Sequence, residues 1–226
     1  MQVAQLWRYP VKSLAGERVG AVELADRGIA GDRRLAAFAL VARRRDQPLS
    51  ARDVPRLLRF RGRFRSGSAE VSGPDLEWSP WKAEAVGSRL NQECGRELEL
   101  REVPEGAFDD APILLLHQAT ATALTAELGA YVDPRRFRAN LYLAGEGIEA
   151  HQEHQLAGRE LRCGTAVLEV LGGCPRCSVP TRDPDTWASW PQLLRHLVQT
   201  HDETVGAYCR VKVAGTVRED DPVDFG

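Results

Sequence analysis

Lysine is scarce in this chain: Lys12, Lys82 and Lys212 are the only lysines among 30 basic residues. Each of the three is therefore worth a separate look, while the arginines supply planar donors suited to carboxylate and phosphate. Net charge is nearly absent as well. With 32 acidic residues the formal charge is −2, so composition makes no electrostatic case for a nucleic-acid partner. Long hydrophobic runs are missing: the longest, Ala111 to Leu116, is far too short to span a bilayer, and no membrane partner is expected. The opening Met1-Gln2-Val3-Ala4-Gln5-Leu6-Trp7-Arg8 reads as a strand rather than a signal peptide. The five cysteines are an odd number without an export signal, which predicts free thiols in a reducing cytoplasm. Repeats and low-complexity segments are lacking too.

What is present is an ordinary globular composition, 43% hydrophobic over 226 residues, enough for one large domain or two small interlocked ones. Strand signals dominate. Residues 2–9 alternate, 17–24 form a second short strand, and 35–41 a third before a charged turn at Arg43-Arg44-Arg45-Asp46. A brief helix is expected over 51–60, a Gly/Ser/Pro-punctuated meander over 61–79, and a helix over 86–95. The second half begins near Phe108. It reads as a buried strand at 113–116, a helix at 117–128 stopped by Gly129, and strands at 141–143 and 161–171. A helix over 187–201 and strands at 207–213 and 216–225 complete it. The fold expected is mainly β with peripheral helices (α+β), a β-barrel or a pair of them.

The chemistry concentrates in Gly172-Gly173-Cys174-Pro175-Arg176-Cys177, followed by Thr181-Arg182-Asp183-Pro184-Asp185-Thr186. Two thiols three residues apart allow several readings. With His151 and His154 they make a His2Cys2 zinc site arithmetically possible, though the histidine spacing is short for one. A dithiol redox pair would sit at a helix N-terminus, and Ser178-Val179-Pro180 is a poor place to start a helix. Two structural cysteines packed as small hydrophobes form a third reading, and one thiolate presented to a metal cofactor a fourth. A second constellation is cationic: Lys12 and Ser13 after Tyr9-Pro10, Arg33 after Gly31-Asp32, and Arg138 and Asn140 after Arg135-Arg136-Phe137. These residues lie at expected loop–strand junctions, where a rigid scaffold presents functional side chains.

Taken in order, Tyr9-Pro10-Val11-Lys12-Ser13-Leu14, Gly31-Asp32-Arg33, Arg136-Phe137-Arg138-Ala139-Asn140-Leu141, Cys174-Pro175-Arg176-Cys177 with Asp183-Pro184-Asp185-Thr186, and Asp221-Pro222-Val223 resemble the MOSC superfamily with its N-terminal β-barrel domain. The bacterial YcbX-type proteins and the mitochondrial amidoxime-reducing components are of this type. The resemblance covers nearly the whole chain and is weakest over residues 60–105. It implies an N-terminal β-barrel domain over 1–105 and a MOSC domain over 106–226.

The resemblance further implies a molybdenum cofactor (molybdopterin), with Cys177 as the metal's protein ligand and Cys174 as the fallback. A soft thiolate suits such a centre. Lys12, Ser13, Arg33, Arg138 and Asn140 match positions that hold the pterin and its phosphate, with Asp110 and Arg176 beside them. Asp109 matches an acidic residue next to the metal, and Asp109 and His151 are the proton-source candidates for catalysis. The implied activity is two-electron reduction of small N-hydroxylated or N-oxide-type compounds. Between Cys209 and Gly226 there is no C-x4-C-x2-C spacing for an iron–sulfur cluster. Electrons are therefore expected from a separate ferredoxin, flavodoxin or flavoprotein. Asp110-Ala111, Ala139 and His151-Gln152-Glu153-His154 depart from the family pattern and bear on substrate range. The rival reading is a non-catalytic carrier of the cofactor or of sulfur on Cys174 or Cys177. A pyridoxal phosphate aldimine on Lys12 is a weaker option, because nothing local to that lysine indicates a depressed pKa.

Overall fold

The computed structural model of the protein describes residues 1–40 and 46–225. Val41 and the arginines of the turn expected at 43–46 lie outside the described residues. In the first half the strands are β1 (Gln2–Arg8), β2 (Glu17–Val19), β3 (Ala21–Ala25), β4 (Gly28–Ile29), β5 (Leu35–Ala39), β6 (Arg61–Arg65), β7 (Ser68–Gly73), β8 (Leu76–Pro80) and β9 (Leu98–Glu102). The second half adds β10 (Ile113–His117), β11 (Leu141–Ala144), β12 (Glu160–Cys163), β13 (Ala166–Pro175), β14 (Thr204–Val213), β15 (Gly215–Arg218) and β16 (Val223–Phe225). The α-helices are α1 (Glu84–Cys94), α2 (Gln118–Leu128) and α3 (Pro191–Thr200). The fold is mainly β, as expected. Among the described residues no helix is long and apolar enough to cross a membrane.

The chain divides into two compact units whose segments interleave in sequence. The larger comprises Met1–Trp7, Arg18–Ala30 and Asp110–Gly226; the smaller comprises Arg8–Glu17 and Gly31–Asp109.

In the larger unit an eight-stranded mixed sheet runs β16-β12-β13-β14-β10-β11-β1-β2. Its centre is β10, parallel to β11 and antiparallel to β14. The run Ile113-Leu114-Leu115-Leu116 is apolar throughout because both of its faces are covered, and alternate side chains go to different cores. Ile113 and Leu115 join Val3, Leu6, Leu161, Leu168 and Val170 on one face. Leu114 and Leu116 meet Leu124 of α2 and Leu193 and Leu197 of α3 on the other. The helix α2 ends as expected at Gly129, which takes the left-handed conformation at φ 62°.

In the smaller unit β5 pairs with β9, and β6, β7 and β8 form the expected meander. Val11, Leu57, Phe60, Val71, Trp81, Val86 and Leu90 form its core.

Several boundaries differ from expectation, each for a local reason. No α-helix forms over 51–60: Pro55 pushes Val54 out of the helical region (φ −130°, ψ 80°), and only a 3-10 turn, Pro55–Arg59, follows. The strand expected over 161–171 is a hairpin, β12 and β13, because Gly164 turns the chain at φ 55°. Asp220, at φ 68°, similarly separates β15 from β16. The last helix begins at Pro191 rather than Trp187, with the proline in its first turn.

Candidate functional site

In the larger unit β13 runs out at Pro175 and delivers the two thiols into different environments. Cys174 is 3% exposed and packs into the apolar cluster with Leu114 and Leu197. Beside it, burial and the Cys174 thiol push the Tyr208 hydroxyl above its ordinary pKa. Cys177 lies past the strand end on a loop, half-buried and free of any disulfide. Cys163 and Cys209 are buried in the opposite core; burial raises the Cys163 thiol to about 12 and pushes Cys209 up as well.

Arg176 is what fixes that loop. It is 8% exposed, and its Nε donates to the Val205 carbonyl at 2.9 Å, its Nη1 to the Phe137 carbonyl at 3.0 Å. The sequence reading gave Arg176 to the cofactor. The structure turns its guanidinium inward to the main chain. Two more guanidiniums repeat the clamp nearby. Arg136 donates to Asp183 at 2.7 Å and Arg135 to Asp185 at 2.5 Å. Asp183 is also the acceptor for the Thr186 and Asp185 N–H groups. Burial pushes its carboxyl up, but these donors and Arg136 hold it below the usual range. The Arg135–Arg138 and Cys174–Asp185 motifs are thus joined within one unit.

Arg138 closes the 3-10 turn Pro134–Phe137 in the left-handed conformation at φ 55° and is half-buried. Asn140 is fully buried. Its Oδ1 accepts from Leu114 N at 3.2 Å and its Nδ2 donates to the Trp7 carbonyl at 3.2 Å, so its amide ties β10 to β1. Asp110 is exposed.

In the smaller unit Lys12, Arg33 and Asp109 come together. The Lys12 ammonium donates to the Ala107 carbonyl and to Asp109, both at 2.8 Å. Arg52 adds a second cation to Asp109 at 3.3 Å. Contrary to the sequence expectation, Lys12 is in a special environment: burial lowers its pKa, with Asp109 pulling the other way. Burial raises the Asp109 carboxyl, but Lys12 and Arg52 outweigh it and hold it below its ordinary value. Asp109 therefore carries charge at neutral pH. Arg33 pairs with the fully buried Asp32 at 2.5 Å and lies over the Tyr9 ring at 4.8 Å. Asp32 in turn accepts from Tyr9 N at 2.6 Å. The Ser13 hydroxyl accepts from Ala51 N at 2.9 Å, a use within the unit. Lys82 and Lys212 pair with Glu102 and Glu160 at the surface.

His151 does not join the thiols. Its Nε2 meets Glu127 at 2.9 Å and its ring stacks on His201 with centroids 3.7 Å apart. Sequence reasoning missed this neighbourhood: Glu127, His151, His196 and His201 carry no motif spacing, and only the tertiary fold brings them together. His117 is a core residue that caps α2 through Nδ1.

The sequence matches the MOSC domain over residues 89–224 and the MOSC N-terminal beta barrel domain over residues 1–94. Mitochondrial amidoxime-reducing component 1 of Mus musculus is 24% identical, over 98% of this chain and 81% of its own length. The Homo sapiens component 1 is 24% identical over 81% of this chain and 67% of its own. The YUAD protein from Bacillus subtilis shares the fold at a TM-score of 0.54, with 13% identity, over 99% of this chain and 94% of that one. The chain belongs to the MOSC family.

Proposed function

We propose that the protein binds a molybdenum cofactor through Cys177 and reduces small N-hydroxylated compounds by two electrons, drawing them from a separate electron-transfer protein. The observation that carries this reading is the contrast among the thiols. Cys163, Cys174 and Cys209 are buried and Cys94 is half-buried at the end of α1 in the smaller unit, whereas Cys177 stands half-buried on a loop locked by Arg176. A held, accessible, soft sulfur is the donor such a thiophilic metal needs, so the residues present fit the group. The relatives named as amidoxime-reducing components supply the substrate class.

When bound, the cofactor would supply the two-electron oxygen-atom chemistry. This chain's own residues bind and orient it. Arg138, in the unit that carries Cys177, is the cation proposed for its anionic groups, and Lys12 and Arg33 are the smaller unit's own candidates for an anion, as Arg and Lys suit phosphate. Ser13 and Asn140 use their side chains internally and would act by fixing the backbone of the loops that carry those cations. Asp109 is proposed to hold the Lys12 ammonium in place rather than to store a proton, because its two cations keep it ionised.

The test is metal analysis and turnover of protein made in a host that synthesises the cofactor. Wild type should carry molybdenum and convert an amidoxime to an amidine with an artificial one-electron donor. Cys177→Ala should lose that turnover, while Cys174→Ala should retain it. Full loading without turnover, together with a persulfide mass shift on Cys177, would replace the reductase by the sulfur carrier.

A further inference from the structure

Three of the chain's five histidines converge on one carboxylate in the larger unit. Glu127 of α2 receives His196 Nε2 on Oε2 at 2.6 Å and His201 Nε2 on the same oxygen at 2.8 Å. His151 Nε2 takes the other oxygen, Oε1, at 2.9 Å. The side chains are shielded but reachable: 21%, 16% and 17% exposed for the histidines and 30% for Glu127. We propose that Glu127, His196 and His201 form a binding site for one divalent transition cation of the zinc class, with His151 orienting the carboxylate from outside.

The donor set comes first. Two imidazoles and one carboxylate are ligands that suit Zn2+, and this combination leaves a fourth position for water. The geometry is the second support. The donor atoms of Glu127, His196 and His201 all lie within 4.8 Å of one another. Arms of about 2.0–2.1 Å at the tetrahedral angle place neighbouring donors roughly 3.3 Å apart. The His196 and His201 nitrogens therefore need to withdraw from the carboxylate oxygen by only about 0.7 and about 0.5 Å to admit the ion. The His196 and His201 rings meet edge to face, at 71° and 5.6 Å, so their nitrogens approach a shared point from different directions.

Rigidity is the third. Glu127 and His196 each project from a helix whose inner face is buried, through Leu124 on α2 and Leu193 and Leu197 on α3. His201 caps α3, its N–H bonded to the Leu197 carbonyl at 2.9 Å. Sites on packed helices hold their geometry better than sites on loops. His151 fits an outer role. It lies parallel to His201 rather than pointing into the same space, and its buried Nδ1 has no hydrogen-bond partner. An outer group that grips the second oxygen of a ligating carboxylate fixes its orientation.

Chelator-treated full-length protein is titrated with ZnCl2 by calorimetry, and CoCl2 is added separately as an optical probe. One equivalent of Zn2+ should bind, and Co2+ should give the visible bands of a four-coordinate ion. The His196→Gln/His201→Gln double variant should weaken Zn2+ binding by more than about 100-fold, and His151→Ala by about 10-fold. A Cys174→Ser/Cys177→Ser variant should bind Zn2+ as wild type does. In wild type, the imidazole nitrogen resonances of His196 and His201 should shift on adding Zn2+, a readout that does not depend on any variant folding. Unmoved His196 and His201 resonances, or an equivalent lost with the cysteines and kept without the histidines, would overturn the site.

Discussion

The Arg176 guanidinium donates to the carbonyl of Phe137 at 3.0 Å, joining positions 39 residues apart inside the larger unit. The same side chain reaches Val205 on β14, so the loop carrying Cys177 is fastened both to the Arg138 turn and to the central sheet. Gly206 is part of this arrangement. At φ 71°, a Cβ there would strike the Leu115 carbonyl oxygen and crowd the Arg176 guanidinium. The salt bridges Arg136–Asp183 and Arg135–Asp185 extend the clamp along the loop.

Removing that fastening should unfold more than it disarms. Arg176→Met leaves the buried carbonyls of Val205 and Phe137 without their donor, each worth on the order of 1–3 kcal/mol. A loss of about 2–4 kcal/mol is expected from urea denaturation at an unchanged m-value. Arg176→Lys should recover less than half of it, because one ammonium cannot serve both carbonyls as a fork does. A neutral result for Arg176→Met would show that the clamp is not structural.

The thiols should separate by reactivity in the native protein. Cys163 and Cys209 are buried with pKa values driven up, so little reactive thiolate is available. Burial also raises Cys94 at the end of α1. At pH 8, mass spectrometry after brief iodoacetamide treatment should find Cys177 labelled first and Cys163 and Cys209 labelled only after denaturation. Equal labelling of Cys174 and Cys177 would contradict the burial contrast on which the ligand assignment rests.

The Lys12–Asp109 pair sets a pH dependence in the acid range. With a folded pKa below its ordinary value, Asp109 contributes stability that is present above the unfolded carboxylate value of about 4. That contribution is lost as pH falls through the depressed folded value. It is small, because the carboxylate is 49% exposed. In Lys12→Met the dominant partner is gone and burial still opposes the charge, so the Asp109 carboxyl should titrate at a higher pH. Carboxyl carbon chemical shifts against pH check this directly, and an unmoved Asp109 would mean that Lys12 does not govern it.

How much of this was legible in the sequence depended on the distance over which each feature is encoded. The continuous apolar run Ile113–Leu116 and the Gly129 stop are local signals, and both became the expected elements. The 3-10 turn at Pro55–Arg59 and the break at Gly164 are also encoded locally, by a proline and a glycine set within otherwise regular patterns. β9 was missed because its Leu98-Glu99-Leu100-Arg101-Glu102 alternation is short and half charged. The cysteine and arginine motifs could be read as candidates, yet nothing in their order says that Arg176 turns inward to Phe137 and Val205. Glu127, His196 and His201 had no spacing to read at all, since α2 and α3 lie far apart in sequence and share the cluster of Leu124, Leu193 and Leu197 only in the folded chain.

Glu153, a carboxylate only 1% exposed, offers a final test of the polar bookkeeping under α2. Its Oε1 accepts from His117 N at 3.0 Å and from Thr120 Oγ1 at 2.7 Å, at the point where β10 passes into the helix. Glutamine offers an acceptor oxygen of the same reach, so Glu153→Gln should cost less than about 1 kcal/mol. Glu153→Leu keeps the volume but leaves a buried N–H and a buried hydroxyl facing hydrocarbon. Its expected cost is about 2–4 kcal/mol in urea. The Thr120 hydroxyl also accepts from His151 N at 2.9 Å, so its unpairing should loosen the His151 backbone. Faster amide exchange at His151 and His117 in Glu153→Leu, but not in Glu153→Gln, is the expected pattern; equal exchange in both would mean that the hydrogen bonds, rather than the packing, contribute nothing there.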